Sequence, residues 1–120
     1  MITQEDIDAF QRFNDVDYLF NEYQDMAAST AIYKQEHQVI YPAMVLDAAA
    51  GEVANKVKQI LRDKNFARTG IADELGDCLW YIAALCRDLN IEMSEVAKGN
   101  LKKLKDRQNR GTLKGNGDKR

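Results

Sequence analysis

Apolar residues recur every three or four positions along most of this chain, the spacing of one buried face on a helix, and nowhere do they alternate long enough to describe a strand. Thr3 and Asp6 stand three apart ahead of Ile7, Phe10 and Phe13, the arrangement of a capping box opening a short helix. Leu19, Tyr23, Met26, Ala27 and Thr30 then mark a helix over residues 18–33, and residues 34–41 read as a connection. Pro42 suits the first turn of the next helix, which runs to Leu61 with Gly51 as its one breaker, and residues 62–70 form a charged loop. Leu75, Leu79, Ile82, Ala83 and Cys86 predict a helix over residues 71–89, stopped by Asn90. Ser94 is the expected N-cap of the last helix, which reaches Gln108 through Val96, Leu101 and Leu104. The pattern specifies an all-α bundle of four to five helices whose apolar faces need a second copy of the chain to be covered. It divides the chain into an N-terminal extension (1–17), a helical domain (18–110) and a glycine-rich basic tail (111–120), expected to be a mobile tail or lid.

Length and composition sharpen this only in places. A chain of 120 residues with a single proline suits one helical domain with one core. No run of about 18 apolar residues is present and the first residues are acidic, so neither a membrane span nor a signal peptide is expected, and the cytoplasm is the simplest location. Cys78 and Cys86 fall on one predicted helix, roughly 12 Å apart at 1.5 Å per residue, too far for a disulfide. They read as reduced thiols. Charge adds more: residues 1–97 carry 8 Lys/Arg and 17 Asp/Glu, whereas residues 98–120 carry 9 Lys/Arg and 2 Asp/Glu. A basic end on an acidic body fits either a polyanionic ligand or a solvated tail.

Candidate chemistry centres on an imperfect echo between Ala49-Ala50-Gly51-Glu52 and Glu74-Leu75-Gly76-Asp77. Glu74 and Asp77, three apart, share a helix face, and Glu52 can approach from a neighbouring helix to complete a site for a hard divalent cation. Gly51 and Gly76 each cost about 1 kcal/mol relative to alanine inside a helix, and close approach of the two helix backbones would account for both. The competing reading is that Lys56, Lys58, Arg62 or Arg68 simply pairs with these acids. Magnesium keeps water or phosphate ligands, so an acidic helical pocket that holds it suits a polyphosphate. Lys56, Lys103 and Arg107 are candidates for the remaining phosphate oxygens, the last two on one helix face. Trp80, one turn from Asp77, would either stack on a base or pack in a core or interface. His37, with no partner at ligand spacing, reads as a surface or base-contacting residue. No nucleophile paired with a histidine, no P-loop and no dinucleotide fingerprint occurs, which argues against covalent catalysis. A basic tail neutralising nucleic-acid phosphates leaves the carboxylate arrangement unexplained, so nucleic acid is not the expected partner.

Several stretches, in order, resemble the MazG-like branch of the all-α nucleoside triphosphate pyrophosphohydrolases. They are Tyr41-Pro42-Ala43-Met44-Val45-Leu46, Gly51 through Lys58, Glu74 through Tyr81, Asn100-Leu101-Lys102-Lys103-Leu104 with Arg107, and the closing Gly115-Asn116-Gly117-Asp118. The resemblance implies a Mg²⁺-dependent enzyme (Mn²⁺ being the alternative ion) that cleaves a nucleoside triphosphate, a dNTP by preference, into monophosphate and pyrophosphate. It implies Glu52, Glu74 and Asp77 as metal ligands and catalytic residues, with Asn55, Lys56, Trp80, Asn100, Lys103 and Arg107 on substrate. It also implies a homodimer or homotetramer with sites near the subunit interface. The family pattern expects Glu at position 49, where this chain has Ala49 beside Ala48. Asp47 is no direct substitute, lying about 200° around the helix from that position. A weakened enzyme or nucleotide-binding relative, a variant recruiting another acid, and an alanine introduced to trap a complex all remain open.

Overall fold

A computed structural model describes residues 1–12, 14–64 and 68–112, and the regular structure among them is all helical, with no strand. Helix α1 spans Gln4–Arg12, α2 Asn14–Ala28, α3 Ile40–Asp63, α4 Arg68–Asp88 and α5 Met93–Asn109, with a single 3₁₀ turn at Gln35–His37. The all-α class read from the apolar spacing is the class observed. Among the described residues no helix is long and apolar enough to cross a membrane.

Two compact units divide the chain: Met1–Glu22 with Glu92–Arg120, and Tyr23–Ile91. In the first, α1 packs on α5. The expected capping box is present, Asp6 donating its N–H to Thr3 Oγ1 at 3.0 Å and Thr3 its N–H to Asp6 Oδ2 at 2.9 Å. The first residues are tied down rather than trailing: Ile2 N–H donates to Gln108 Oε1 at 3.0 Å, and Gln108 Nε2 donates back to the Ile2 carbonyl. Ser94 does not cap α5. Glu92 occupies the cap position, and Ser94 lies inside the helix, fully buried, its N–H bonded to Asn21 Oδ1 at 3.2 Å. A serine near a helix start is ambiguous between cap and core, and burial against α2 decides here.

The second unit is built on the antiparallel pair α3 and α4 and includes the end of α2 from Tyr23. Pro42 sits in the first turn of α3 and is buried, as its missing N–H and fixed φ favour. The expected 62–70 loop is shorter, because α3 runs on to Asp63, with Lys64 at its end in a left-handed conformation, and α4 has begun by Arg68. Asn90 does stop α4. It adopts φ 57°, its N–H bonds to the Arg87 carbonyl at 3.0 Å, and the Ile91 N–H reaches the Cys86 carbonyl at 2.8 Å, which together terminate the helix with its last carbonyls satisfied. Cys78 and Cys86 are both free thiols. The expected lid over 111–120 falls almost wholly outside the described residues, as does Phe13.

Candidate functional site

The α3–α4 register fixes which residues meet. The Lys56 side chain lies across Gly70, its Cδ 3.8 Å from where a Cβ on that glycine would stand. One turn on, in opposite directions along the two helices, Glu52 comes level with Glu74. Three residues further Ala49 comes level with Asp77, and then Val45 with Tyr81. These residues, with Ala48, line one cleft of about 210 Å³. The spacing argument thus holds for the three acids, which the fold brings to a single cleft.

Glu52 and Asp77 are exposed and Glu74 is half-buried. Among the described residues none of the three forms an ion pair. Arg62, a candidate counterion, instead binds its neighbour Asp63 at 2.7 Å. Three carboxylates sharing a cleft repel one another, and among the described residues no ion pair offsets this. As the side chains stand, no group of three His, Cys, Asp or Glu among the described residues is drawn tightly enough to grip a metal ion. The donor chemistry fits a hard divalent cation all the same, because all three are carboxylates with no ion pair among the described residues, and such a cation takes oxygen ligands. Ala49, where a fourth carboxylate would point, is 7% exposed and closes the cleft with a methyl group.

The glycine argument needs correction. A Cβ at Gly51 or Gly76 would meet nothing within 4 Å, so neither glycine marks a close approach of α3 to α4. Both lie on exposed positions away from the seam. Gly51 precedes Glu52 by one residue, about 100° around the helix, which turns it off the α3–α4 seam.

The substrate candidates divide. Lys56 is half-buried one turn beyond Glu52 with its side chain against Gly70, and Asn55 is half-buried beside it; neither lines the cleft. Trp80 is fixed by the fold: its indole N–H donates to Thr30 Oγ1 at 2.8 Å and its ring stands edge-on to Tyr81 at 5.2 Å. Asn100, Lys103 and Arg107 belong to α5, in the other unit. Asn100 and Lys103 are exposed, whereas Arg107, one turn from Lys103 on the same helix, is only 7% exposed.

Tyr81 is the cleft residue that the carboxylate search did not single out, although its position one turn after Asp77 was the available signal. Burial, then Tyr41 and the Asp77 charge, push its hydroxyl above the ordinary tyrosine range. Tyr41 stands 6.5 Å from Tyr81, edge-on, and 5.0 Å from Tyr33. His37 is exposed and lines an adjoining apolar hollow with Ile40, Tyr41, Met44 and Val45. Val45 borders both hollows.

Comparison with known proteins bears on this geometry. The family model described as MazG nucleotide pyrophosphohydrolase domain matches residues 35–112, from the 3₁₀ turn through the end of α5. The chain is also similar to the Gene 37 protein of Mycobacterium phage L5, 42% identical over 109 residues, covering 82% of this chain and 96% of that protein. No solved structure matches.

Proposed function

The chain belongs to the MazG nucleotide pyrophosphohydrolase domain family, and from that premise we propose that it hydrolyses nucleoside triphosphates, dNTPs by preference, to monophosphate and pyrophosphate with Mg²⁺. The observation that carries this reading is the cleft itself: Glu52, Glu74 and Asp77 converge on one hollow between α3 and α4, and among the described residues no cation pairs with them. Bare carboxylates are tolerated because they remain hydrated, and they are useful only if a cation arrives.

In this reading Glu52, Glu74 and Asp77 hold Mg²⁺. A bound Mg²⁺ neutralises phosphate charge and makes water a better nucleophile. The bond formed is between water oxygen and the α-phosphorus, and the bond broken joins that phosphorus to the bridging oxygen, which leaves with pyrophosphate. Lys56, one turn beyond Glu52, is assigned the negative charge of a phosphate that the carboxylates repel. Lys103 and Arg107 are assigned to substrate phosphates on the sequence resemblance alone. Asn55 and Asn100 are assigned to polar contacts with the substrate. Trp80, with its N–H committed to Thr30, offers a ring face and no hydrogen bond.

One observation favours a second reading, a nucleotide-binding relative with weakened catalysis: the buried methyl of Ala49 occupies the place opposite Asp77 where the family pattern has a carboxylate. Self-association also belongs to the proposal. Met44 and Leu61 on α3 are 70% and 77% exposed, and Leu75 and Leu79 on α4 are exposed as well, an apolar surface that a homodimer or homotetramer would cover. A cytoplasmic location is proposed on the same footing. The deciding experiment screens dNTPs and NTPs for pyrophosphate release with and without Mg²⁺. Release that depends on Mg²⁺ supports the enzyme. Nucleotide binding without release supports the weakened relative, and neither binding nor release removes both.

A further inference from the structure

Asp88, the last residue of α4, is an acid that the proposed chemistry does not use, and its side chain is 0% exposed. Its Oδ2 accepts the Tyr33 hydroxyl at 2.7 Å and the Val39 N–H at 2.9 Å, while its Oδ1 accepts Arg87 Nη2 at 3.0 Å and Nε at 3.2 Å. Arg87 in turn donates from Nη1 to the Ala28 carbonyl at the end of α2 and from Nη2 to the Tyr33 hydroxyl at 3.1 Å. The carboxylate therefore ties the end of α4 to Tyr33 and Val39 in the connection between α2 and α3, and its partner Arg87 extends the tie to the end of α2.

Val39 shows that this tie is under load. It adopts φ 67° and ψ −54°, a region that β-branched residues avoid, and the Ile40 N–H bonds across it to the Gln38 carbonyl at 2.7 Å, closing a γ-turn of the strained kind. Such a conformation costs of order 1–3 kcal/mol and persists only where the surroundings over-determine it. Here the surrounding is the Asp88 bond to the same residue's N–H. Two residues later Tyr41 begins the contacts that lead to the cleft: Tyr33 to Tyr41 at 5.0 Å, Tyr41 to Tyr81 at 6.5 Å, and Tyr81 in the wall beside Asp77.

We propose that Asp88 is a positioning residue, which holds Val39 and Tyr33 so that Tyr41 and Tyr81 form a preset aromatic wall for the nucleoside part of a substrate whose phosphates lie at the carboxylates. The inference rests on the nucleotide reading of the cleft. Burial alone would raise the Asp88 carboxyl, and the bonds from Val39, Tyr33 and Arg87 reverse that and leave it below the ordinary aspartate value, as a committed anchor requires.

Two probes separate positioning from general stability. A dNTP engages both the aromatic wall and the carboxylates, whereas inorganic tripolyphosphate engages the carboxylates alone. With Mg²⁺ present, Asp88→Ala is expected to weaken dNTP binding about tenfold, with KM raised and kcat held within about twofold, while tripolyphosphate binding is unchanged. Asp88→Asn, whose amide oxygen still accepts the Val39 N–H, is expected to recover part of the loss. If Asp88→Ala does not fold, Tyr33→Phe keeps the ring and removes one donor to Asp88, and the same two probes decide. Equal loss for both probes, or loss for neither, overturns the assignment. A parent protein that binds neither dNTP nor tripolyphosphate overturns the nucleotide reading instead, and this inference with it.

Discussion

Helix α4 carries two aspartates eleven residues apart that are treated in opposite ways. Asp77 is exposed, has no ion pair among the described residues, and shares its cleft with two further acids; Asp88 is buried and accepts from Tyr33, Val39 and Arg87 at once. A buried carboxylate must have its lone pairs filled by the protein, or it would not stay charged. In the proposed reading, an exposed one left unpaired beside others is held for a cation. The same side chain at two depths then separates what would serve the ligand from what serves the frame.

The largest effect expected from breaking this comparison is on Asp77. Residues that only orient a metal ligand cost 10–100-fold when removed, so Asp77→Ala should lower Mg²⁺-dependent pyrophosphate release by at least on the order of a hundredfold. Because it also relieves repulsion in the cleft, helical circular dichroism and the thermal midpoint should be unchanged or slightly raised. Activity that survives intact would show that the bare acids are not the ligand site.

Asp88→Ala should show the reverse, with a large effect on stability. It strands the Val39 N–H and the Tyr33 hydroxyl, and a buried donor left without a partner costs roughly 1–3 kcal/mol, which denaturant unfolding would measure. The pH dependence sharpens the point. The folded Asp88 carboxyl lies below the ordinary value of 3.8, so its stabilisation is present in full above that value and is lost as pH falls through the lower folded one. The parent should therefore lose stability over that acid range more steeply than Asp88→Asn.

Ala49→Glu converts part of the cleft toward the expected family pattern. Without metal it places a charge where the native residue is 7% exposed, so the thermal midpoint should fall. Mg²⁺ should restore it and bind on the order of tenfold more tightly, a gain of about 1.4 kcal/mol for one added carboxylate ligand. Equal Mg²⁺ titrations for both proteins would mean that another group already fills this place. Val39→Gly should do least. Relief of backbone strain and the added entropy of an unfolded glycine are both of order 1 kcal/mol and oppose each other, leaving stability within about 1 kcal/mol of the parent. A loss beyond about 2 kcal/mol would assign the strain to side-chain packing rather than to the Asp88 tie.

What the sequence disclosed follows the reach of each interaction. The helices, the Thr3–Asp6 capping box and the Asn90 stop were legible because each is decided within four or five residues. So were Glu52, Glu74 and Asp77, since the 3.6-residue turn sets their faces. Ser94 was misread as a cap because its burial depends on α2, far away in sequence. The glycines were misread because both face away from the helix seam. Asp88 carried no local sign at all: its partners Val39 and Tyr33 lie 49 and 55 residues upstream, and nothing near it marks an aspartate as an anchor.

The spacing between Asp77 and Asp88 limits how this chain is free to vary. Eleven residues make about three turns, so the two carboxylates leave α4 within about 20° of one another and roughly 16 Å apart. An insertion or deletion of one residue between them would swing one end by about 100° relative to the other. Either the cleft or the anchor would then face the wrong way. Length changes in descendants of this sequence should accordingly collect beyond Lys64, where α3 ends, and spare the stretch from Asp77 to Asp88, even though most side chains along that stretch touch neither ligand nor anchor.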